Sequence, residues 1–262
     1  MKKSILLFPL LLFLTSCGTQ RGVSSHELPF AKVYTATWMQ RSAEYEALCY
    51  QAFNSARLHL DQSLSLVQED SKPLAIVTDI DETILDNTPN AVYQGERGEL
   101  FDPSEWTKWV NRVEADTIPG ALSFLQYAAG HGVKVFYITN RNEQERRGTL
   151  LNLQKFGFPN ADDAHLLLKS GTSNKDERRA KVMEEYEIII YMGDQLTDFP
   201  GYYKASEVDR SAMAQRDAGA FGGMYIVLPN PNYGEWESAL SGYQRLDKKQ
   251  QSELIKKKAK SY

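Results

Sequence analysis

Cysteine and histidine are scarce in this chain. Only two cysteines, Cys17 and Cys49, and four histidines occur in 262 residues. The histidines form no spaced cluster, so they read as structural or surface groups rather than metal ligands. Basic runs are equally scarce. The net charge is −4, and the one Lys-rich stretch (Lys248, Lys249, Lys256 to Lys258, Lys260) reads as a solvated helix end. Nothing argues for a nucleic-acid polymer as partner. No apolar run reaches the roughly 20 residues that a mature membrane-crossing helix needs. Internal repeats and low-complexity segments are absent as well. The length suits one domain of ordinary to large size, with a sizeable core and at most a small appendage.

What is present begins with a processing segment. Lys2 and Lys3 precede an apolar run from Ile5 to Leu14, followed by Thr15, Ser16 and Cys17. The run fits a signal-peptide core. Leu14-Thr15-Ser16-Cys17 resembles the bacterial lipobox, which makes Cys17 the expected lipidation site and residues 1–17 a lipoprotein signal peptide. Gly18 in place of Asp suits sorting to the outer membrane of a Gram-negative cell. The expected location is therefore the bacterial cell envelope, lipid-anchored. Residues 18–35 read as a tether, because Gly, Ser, Thr and Pro occur there without periodicity. With Cys17 committed, Cys49 cannot form an intrachain disulfide and is expected to be a buried small apolar residue.

The remaining chain, 36–262, reads as one domain. From about Ala36 to Val67 apolar residues recur at helical steps (Tyr45, Leu48, Ala52, Ala56, Leu60, Leu64, Val67), predicting one long or two shorter helices. Lys72-Pro73 breaks the pattern. Strands are expected at Leu74–Thr78, Val133–Ile138, His165–Leu168, Glu187–Met192 and Met224–Leu228, with helices between them. Alternation of this kind predicts an α/β fold with a Rossmann-like parallel sheet. Residues 36–67 and the irregular stretch 88–117 are expected to form a small helical cap.

In such a sheet the carboxyl ends of the strands converge on one crevice. The segment "IVTDIDETILDN" ends the first strand with Asp79 and Asp81. The second strand ends in Thr139-Asn140-Arg141, Lys175 opens the helix after the third, and the fourth ends in "GDQLTD", with Asp194 and Asp198. Clustered carboxylates suit a hard cation such as Mg²⁺. A hydroxyl, an amide and an ammonium suit phosphate oxygens. An Asp can attack phosphorus while a second acid serves the leaving oxygen. Other phosphatase chemistries lack their residues: His131 follows Gly130 rather than Arg, and Ser55 stands six positions after Cys49 where a cysteine phosphatase needs Arg.

These four segments, in this order, resemble the four motifs of the haloacid-dehalogenase superfamily. "DIDETILDN", "GDQLTDF", "EYEALCYQAFN" and "LPNPNYGEWE" narrow the similarity to the class C, or four-aspartate, acid phosphatases in the branch of bacterial lipoprotein e. The similarity runs from about Thr37 to about Tyr243. It implies that Asp79 is the nucleophile and a metal ligand, and that Asp81 is the general acid/base and gives its backbone carbonyl to the metal. It implies phosphoryl binding by Thr139, Asn140 and Lys175, a direct Mg²⁺ ligand in Asp194, and in Asp198 a fourth aspartate at the site of one ion. Trp106 and Tyr233 would hold the base or aromatic leaving group. The implied activity is that of an acid phosphatase or 5′-nucleotidase on nucleoside monophosphates, nicotinamide mononucleotide and aryl phosphates. Dimers occur among such proteins, so a homodimer is the oligomer that the resemblance allows. Lys169 and Arg178 compete with Lys175 for the basic position. Asp86 reads as a turn or cap, and Trp109 as core. A different class of function, a ligand-binding surface lipoprotein (for haem, for instance) with a vestigial site, would be separated by a phosphatase assay with and without chelator.

Overall fold

Apolar and β-branched side chains fill nearly every position of Leu74–Thr78, which leaves no face for water; all five residues are buried. The computed structural model describes residues 27 to 262, so Cys17 and the signal segment lie outside the described residues. The chain runs through α1 (Glu27–Arg41), α2 (Ala43–Ser65), β1 (Leu74–Thr78), β2 (Leu85–Asp86), α3 (Thr88–Glu96), α4 (Pro103–Arg112), β3 (Asp116–Thr117), α5 (Ala121–Gly130), β4 (Lys134–Ile138), α6 (Arg146–Phe156), β5 (Leu166–Leu167), α7 (Asp176–Glu185), β6 (Glu187–Gly193), α8 (Glu207–Arg216), β7 (Tyr225–Val227), α9 (Glu235–Leu240) and α10 (Lys248–Lys258). Single 3₁₀ turns lie at Glu143–Glu145 and Leu196–Asp198.

The main sheet is parallel, with strand order β5-β4-β1-β6-β7. The chain leaves β1 for β4 and β5 on one side, then returns to β6 on the other. The order therefore reverses between β1 and β6, where an open α/β sheet forms its binding crevice. Alternate residues of β1 and β4 feed two cores. Ile76, Val135 and Tyr137 join Cys49, Phe53, Ala56 and Leu60 of α2. Ala75, Val77, Phe136 and Ile138 join Val182, Phe199 and Tyr202 on the opposite face. Burial on both faces explains why these strands read as continuous apolar runs rather than alternating ones.

Strand ends shift by a residue from the sequence reading, and two helices differ from it more. Helix α1 begins at Glu27, inside the stretch expected to be tether. It buries only Pro29, Ala36 and Met39, a stripe too sparse to give a periodic signal. Helix α2 was expected in the cap, yet it covers the sheet: Ser42 caps its start by accepting from the Tyr45 N–H at 3.1 Å, and its apolar face packs into the main core. The cap-like layer consists instead of α1 against α3, with α4 against α6. A two-stranded antiparallel ribbon, β2 with β3, closes the insertion at its base. Cys49 is buried and free, and Asp86 accepts from the Thr88 N–H at 2.8 Å as a turn residue. Among the described residues no helix is long and apolar enough to cross a membrane.

Candidate active site

The ends of β1 and β6 lie side by side because the Asp79 N–H donates to the Met192 carbonyl at 2.9 Å. That bond sets two acidic loops against each other. The Lys175 ammonium lies between them and donates to both Asp79 Oδ1 and Asp198 Oδ1, the latter at 2.6 Å. Among the three basic candidates it is thus Lys175 that meets the carboxylates. Arg178 serves another loop, donating to the Thr139 carbonyl and to Asn140 Oδ1 at 2.9 Å. Lys169 donates its backbone N–H to the Arg141 carbonyl.

Asp79, Asp194 and Asp198 each present a carboxylate oxygen, these atoms lie within 4.8 Å of one another, and all three residues are buried. One ammonium cannot neutralise three carboxylates in a dry site. Asp79 is accordingly pushed up to about 7, by burial first, with Lys175 opposing and Asp198 and Asp81 adding to the rise. Asp194 is raised well above the ordinary carboxylate range by burial and by Asp198 and Asp79. Burial disfavours the Lys175 charge, but Asp198 and Asp79 outweigh it and hold the ammonium above its ordinary value. Asp198 has both oxygens engaged, the second by the Gln195 N–H at 3.0 Å. Asp194 is oriented by the Asn230 amide at 2.7 Å, while its Oδ1 meets only the Thr83 hydroxyl at 3.5 Å. The all-oxygen donor set and its surplus negative charge fit a hard divalent cation.

Asp81 turns its side chain away from this group. Its Oδ1 accepts from Arg141 Nη2 at 2.7 Å, Arg141 Nε at 3.1 Å and Asn87 Nδ2 at 2.9 Å. Glu82 follows at a positive φ of 54°. It is buried, accepts from the Asn87 N–H at 2.7 Å through Oε1, and accepts from the Tyr233 hydroxyl through Oε2. Trp109, read as core, packs on the main core and also donates its indole N–H to Asn87 Oδ1 at 2.8 Å.

A cavity of about 440 Å³ opens beside these groups. Asp79, Asp81, Asn140, Lys175 and Asp198 line its polar end. Trp106, Phe101, Leu100 and Tyr233 line the rest, with Lys32 of α1 and Gln251 of α10 among the wall residues. Both expected aromatics therefore reach the cavity, although the Tyr233 hydroxyl is committed to Glu82. Thr139 is fully buried, its Oγ1 accepting from the Arg141 N–H at 3.2 Å.

Sequence reasoning set Arg141 and Gly193 at the strand ends without giving them a role, and gave none to Asn87, Glu82 or Asn230. Gly193 carried a usable signal. A Cβ there would come 2.2 Å from the Asp198 side chain, so the "GDQLTD" spacing needs glycine at its head.

Comparison with known proteins agrees with this geometry. The family model for the haloacid-dehalogenase (HAD) superfamily, subfamily IIIB (acid phosphatase), matches residues 15–236. The class C acid phosphatase from Bacillus anthracis superposes with a TM-score of 0.86 at 35% identity, over 90% of this chain and 99% of that one. A second structure of that enzyme, with tungstate bound, superposes at 0.85 and 34% identity with the same coverage. Among curated sequences, acid phosphatase 1 of Solanum lycopersicum is 34% identical over 168 residues, 60% of this chain. The chain spans only 57% of that tomato protein's length. A family match over most of the chain, and a solved relative aligned along almost its whole length, make this protein a member of subfamily IIIB of the HAD superfamily, the acid phosphatases.

Proposed function

We propose that this protein is a Mg²⁺-dependent phosphomonoesterase that acts through an aspartyl-phosphate. Its proposed substrates are 5′-nucleotides, nicotinamide mononucleotide and aryl phosphates. The observation that carries this reading is the buried Asp79–Lys175–Asp198 cluster, with Asp194 beside it, facing a cavity walled by aromatic side chains. The Bacillus anthracis relative has been solved with tungstate bound, and tungstate is a tetrahedral oxyanion like phosphate.

In this reading Asp79 attacks phosphorus. Lys175 opposes the burial that raises Asp79, and a bound cation would further favour its carboxylate. The ammonium faces the phosphoryl oxygens, and Asn140, held by Arg178, offers its amide to the same group. Asp81 gives a proton to the departing ester oxygen, then takes one from the water that hydrolyses the acyl phosphate. Asp79, Asp194 and the Asp81 backbone carbonyl would hold the Mg²⁺, with Asp198 behind them, and it supplies positive charge against the developing charge on phosphoryl oxygens. Trp106 and Tyr233 bind the leaving group, and lipid on Cys17 anchors the protein at the bacterial envelope.

The decisive measurement is hydrolysis of a nucleoside monophosphate with and without chelator, for wild type and Asp79→Asn. Chelation should silence the wild type reversibly, and the variant should lose several orders of magnitude. A variant that keeps a tenth of wild-type turnover overturns the assignment.

A further inference from the structure

The two oxygens of Asp81 are treated very differently. Oδ1 accepts three bonds: Arg141 Nη2 at 2.7 Å, Arg141 Nε at 3.1 Å and Asn87 Nδ2 at 2.9 Å. Oδ2 keeps only the longer 3.3 Å contact with Arg141 Nε. The donors are themselves fixed. Arg141 is buried, and its Nη1 donates to Thr149 Oγ1 at 3.0 Å. Thr149 Oγ1 in turn donates to the Glu145 carbonyl at 2.7 Å. Asn87 is buried, and its Oδ1 accepts from the Trp109 indole at 2.8 Å, which fixes which end of the amide faces Asp81. Asn87 is not spent on the helix that follows, since its side chain makes no capping bond to α3.

The geometry points to Arg141 and Asn87 as positioning residues that make Oδ1 of Asp81 the anchor and Oδ2 the oxygen that carries the proton in catalysis. The inference rests on the reading of Asp81 as general acid/base. An oxygen that already accepts from three donors has no lone pair left for a proton, so any proton that Asp81 transfers is carried on Oδ2. In the first half-reaction the Oδ2–H bond breaks and the proton passes to the ester oxygen. The Asp79 carboxylate oxygen bonds to phosphorus as the ester P–O bond breaks with its electron pair staying on the ester oxygen, and the free alcohol or phenol departs. In the second half-reaction Oδ2 takes a proton from water as the water oxygen bonds to phosphorus, and the Asp79 O–P bond breaks with its electron pair returning to the Asp79 carboxylate, releasing inorganic phosphate. The guanidinium also lies 5.6 Å from the Trp106 ring centroid, so the same side chain spans the general acid and the wall expected to carry the leaving group.

Proton delivery matters in proportion to the basicity of the leaving oxygen. A nitrophenolate leaves without help, whereas an alkoxide must be protonated. The test is kcat/KM, which reports the steps up to leaving-group departure, across nitrophenyl, phenyl and alkyl phosphates. It uses the full chain with Mg²⁺ present, as wild type, Asp81→Asn, Arg141→Lys and Asn87→Ala. Lys keeps the charge at position 141 but cannot supply two donors to one carboxylate. Both positioning variants are expected to lose more on alkyl than on nitrophenyl phosphates, the ratio of the two losses being roughly tenfold to a hundredfold, within the range of general acid catalysis. Asp81→Asn should show the same trend more steeply. Equal losses along the series in both positioning variants, with the trend intact in Asp81→Asn, overturn the inference and leave the catalytic reading standing. A flat series in Asp81→Asn overturns both. If Arg141→Lys does not accumulate as folded protein, Asn87→Ala decides alone.

Discussion

Glu82 has the least ordinary surroundings of any residue near the site. It holds a left-handed backbone conformation, is buried, and has both carboxyl oxygens engaged. Its carboxyl is pushed up to about 8 from 4.5, by burial first and by the charge of Asp81 next. An unfolded glutamate ionises near 4.5, so between that pH and about 8 the folded chain keeps a proton that the unfolded chain releases. The stability from this group is fully present below pH 4.5 and is lost as pH rises through 8; Asp79, raised to about 7, acts in the same direction. In metal-free protein, melting temperature should therefore fall between pH 5 and pH 8, and Glu82→Gln should fall less steeply. Parallel melting curves for the two proteins would remove this role from Glu82. Trp106 lines the cavity beside Phe101. Base–aromatic stacking is worth roughly 1–3 kcal/mol, so Trp106→Ala should raise KM for nucleoside monophosphates about tenfold and change glycerol phosphate little. Steady-state kinetics on the two substrates check this, and equal losses would make Trp106 a structural residue.

Helix α7 is the element that joins the two halves of the site. Lys175, just before its first residue, meets the carboxylates, and two successive arginines reach in opposite directions. Arg178 donates to the Thr139 carbonyl and the Asn140 amide oxygen in the loop after β4. Arg179 donates to the Asp198 carbonyl at 3.0 Å in the loop after β6, and to Asp176 at 2.6 Å. Replacing either by Met should leave α7 in place and loosen one loop. Arg178→Met should weaken inhibition by inorganic phosphate by about tenfold, as loss of a charged hydrogen bond implies. Arg179→Met should raise the half-saturating Mg²⁺ concentration by roughly 10–100-fold, the usual effect of disturbing a ligand's supports. Titrating both ligands against both variants separates these outcomes, and identical shifts in all four titrations would show a general loosening instead. The sequence announced α7 and Lys175 but not this division of labour. Arginines on a helix show no spacing that distinguishes a brace from a solvated charge. The same limit applies elsewhere. Periodicity named Tyr45, Leu48, Ala52, Ala56, Leu60, Leu64 and Val67 as one apolar face; Tyr45, Ala56 and Leu60 are buried and Leu48 and Val67 are exposed, and the pattern could not say that the sheet, not a cap, lies opposite. The acids at the ends of β1 and β6 were legible because like charges so close together have few other uses. Asn87, Arg141 and Asn230 were not, because a loop amide or guanidinium acquires its role only from what the fold brings opposite it.

The whole molecule concentrates buried negative charge where two halves of the chain meet. A cation held by Asp79 and Asp194, with Asp198 behind them, would interact with the folded chain far more than with the unfolded one. Mg²⁺ should therefore raise the melting temperature with concentration, with a gain of about 2.7 kcal/mol at a hundredfold excess over Kd. Scanning calorimetry across a Mg²⁺ series measures it, with Asp194→Asn as the variant in which the shift should shrink. A melting temperature that ignores Mg²⁺ would mean that these carboxylates hold no cation. The pairing of β1 with β6 has a further consequence, for synthesis. β1 leaves the ribosome early, but its neighbour β6 is made only after α3 through α7. Pairings between segments so distant in sequence form slowly. Until β6 docks, Asp79 and Asp81 end a strand that lacks the partner loop carrying Asp194 and Asp198. A chain stopped anywhere before β6 would carry Asp79 and Asp81 without Asp194 and Asp198, so the carboxylate cluster forms late in folding, after most of the molecule has been made.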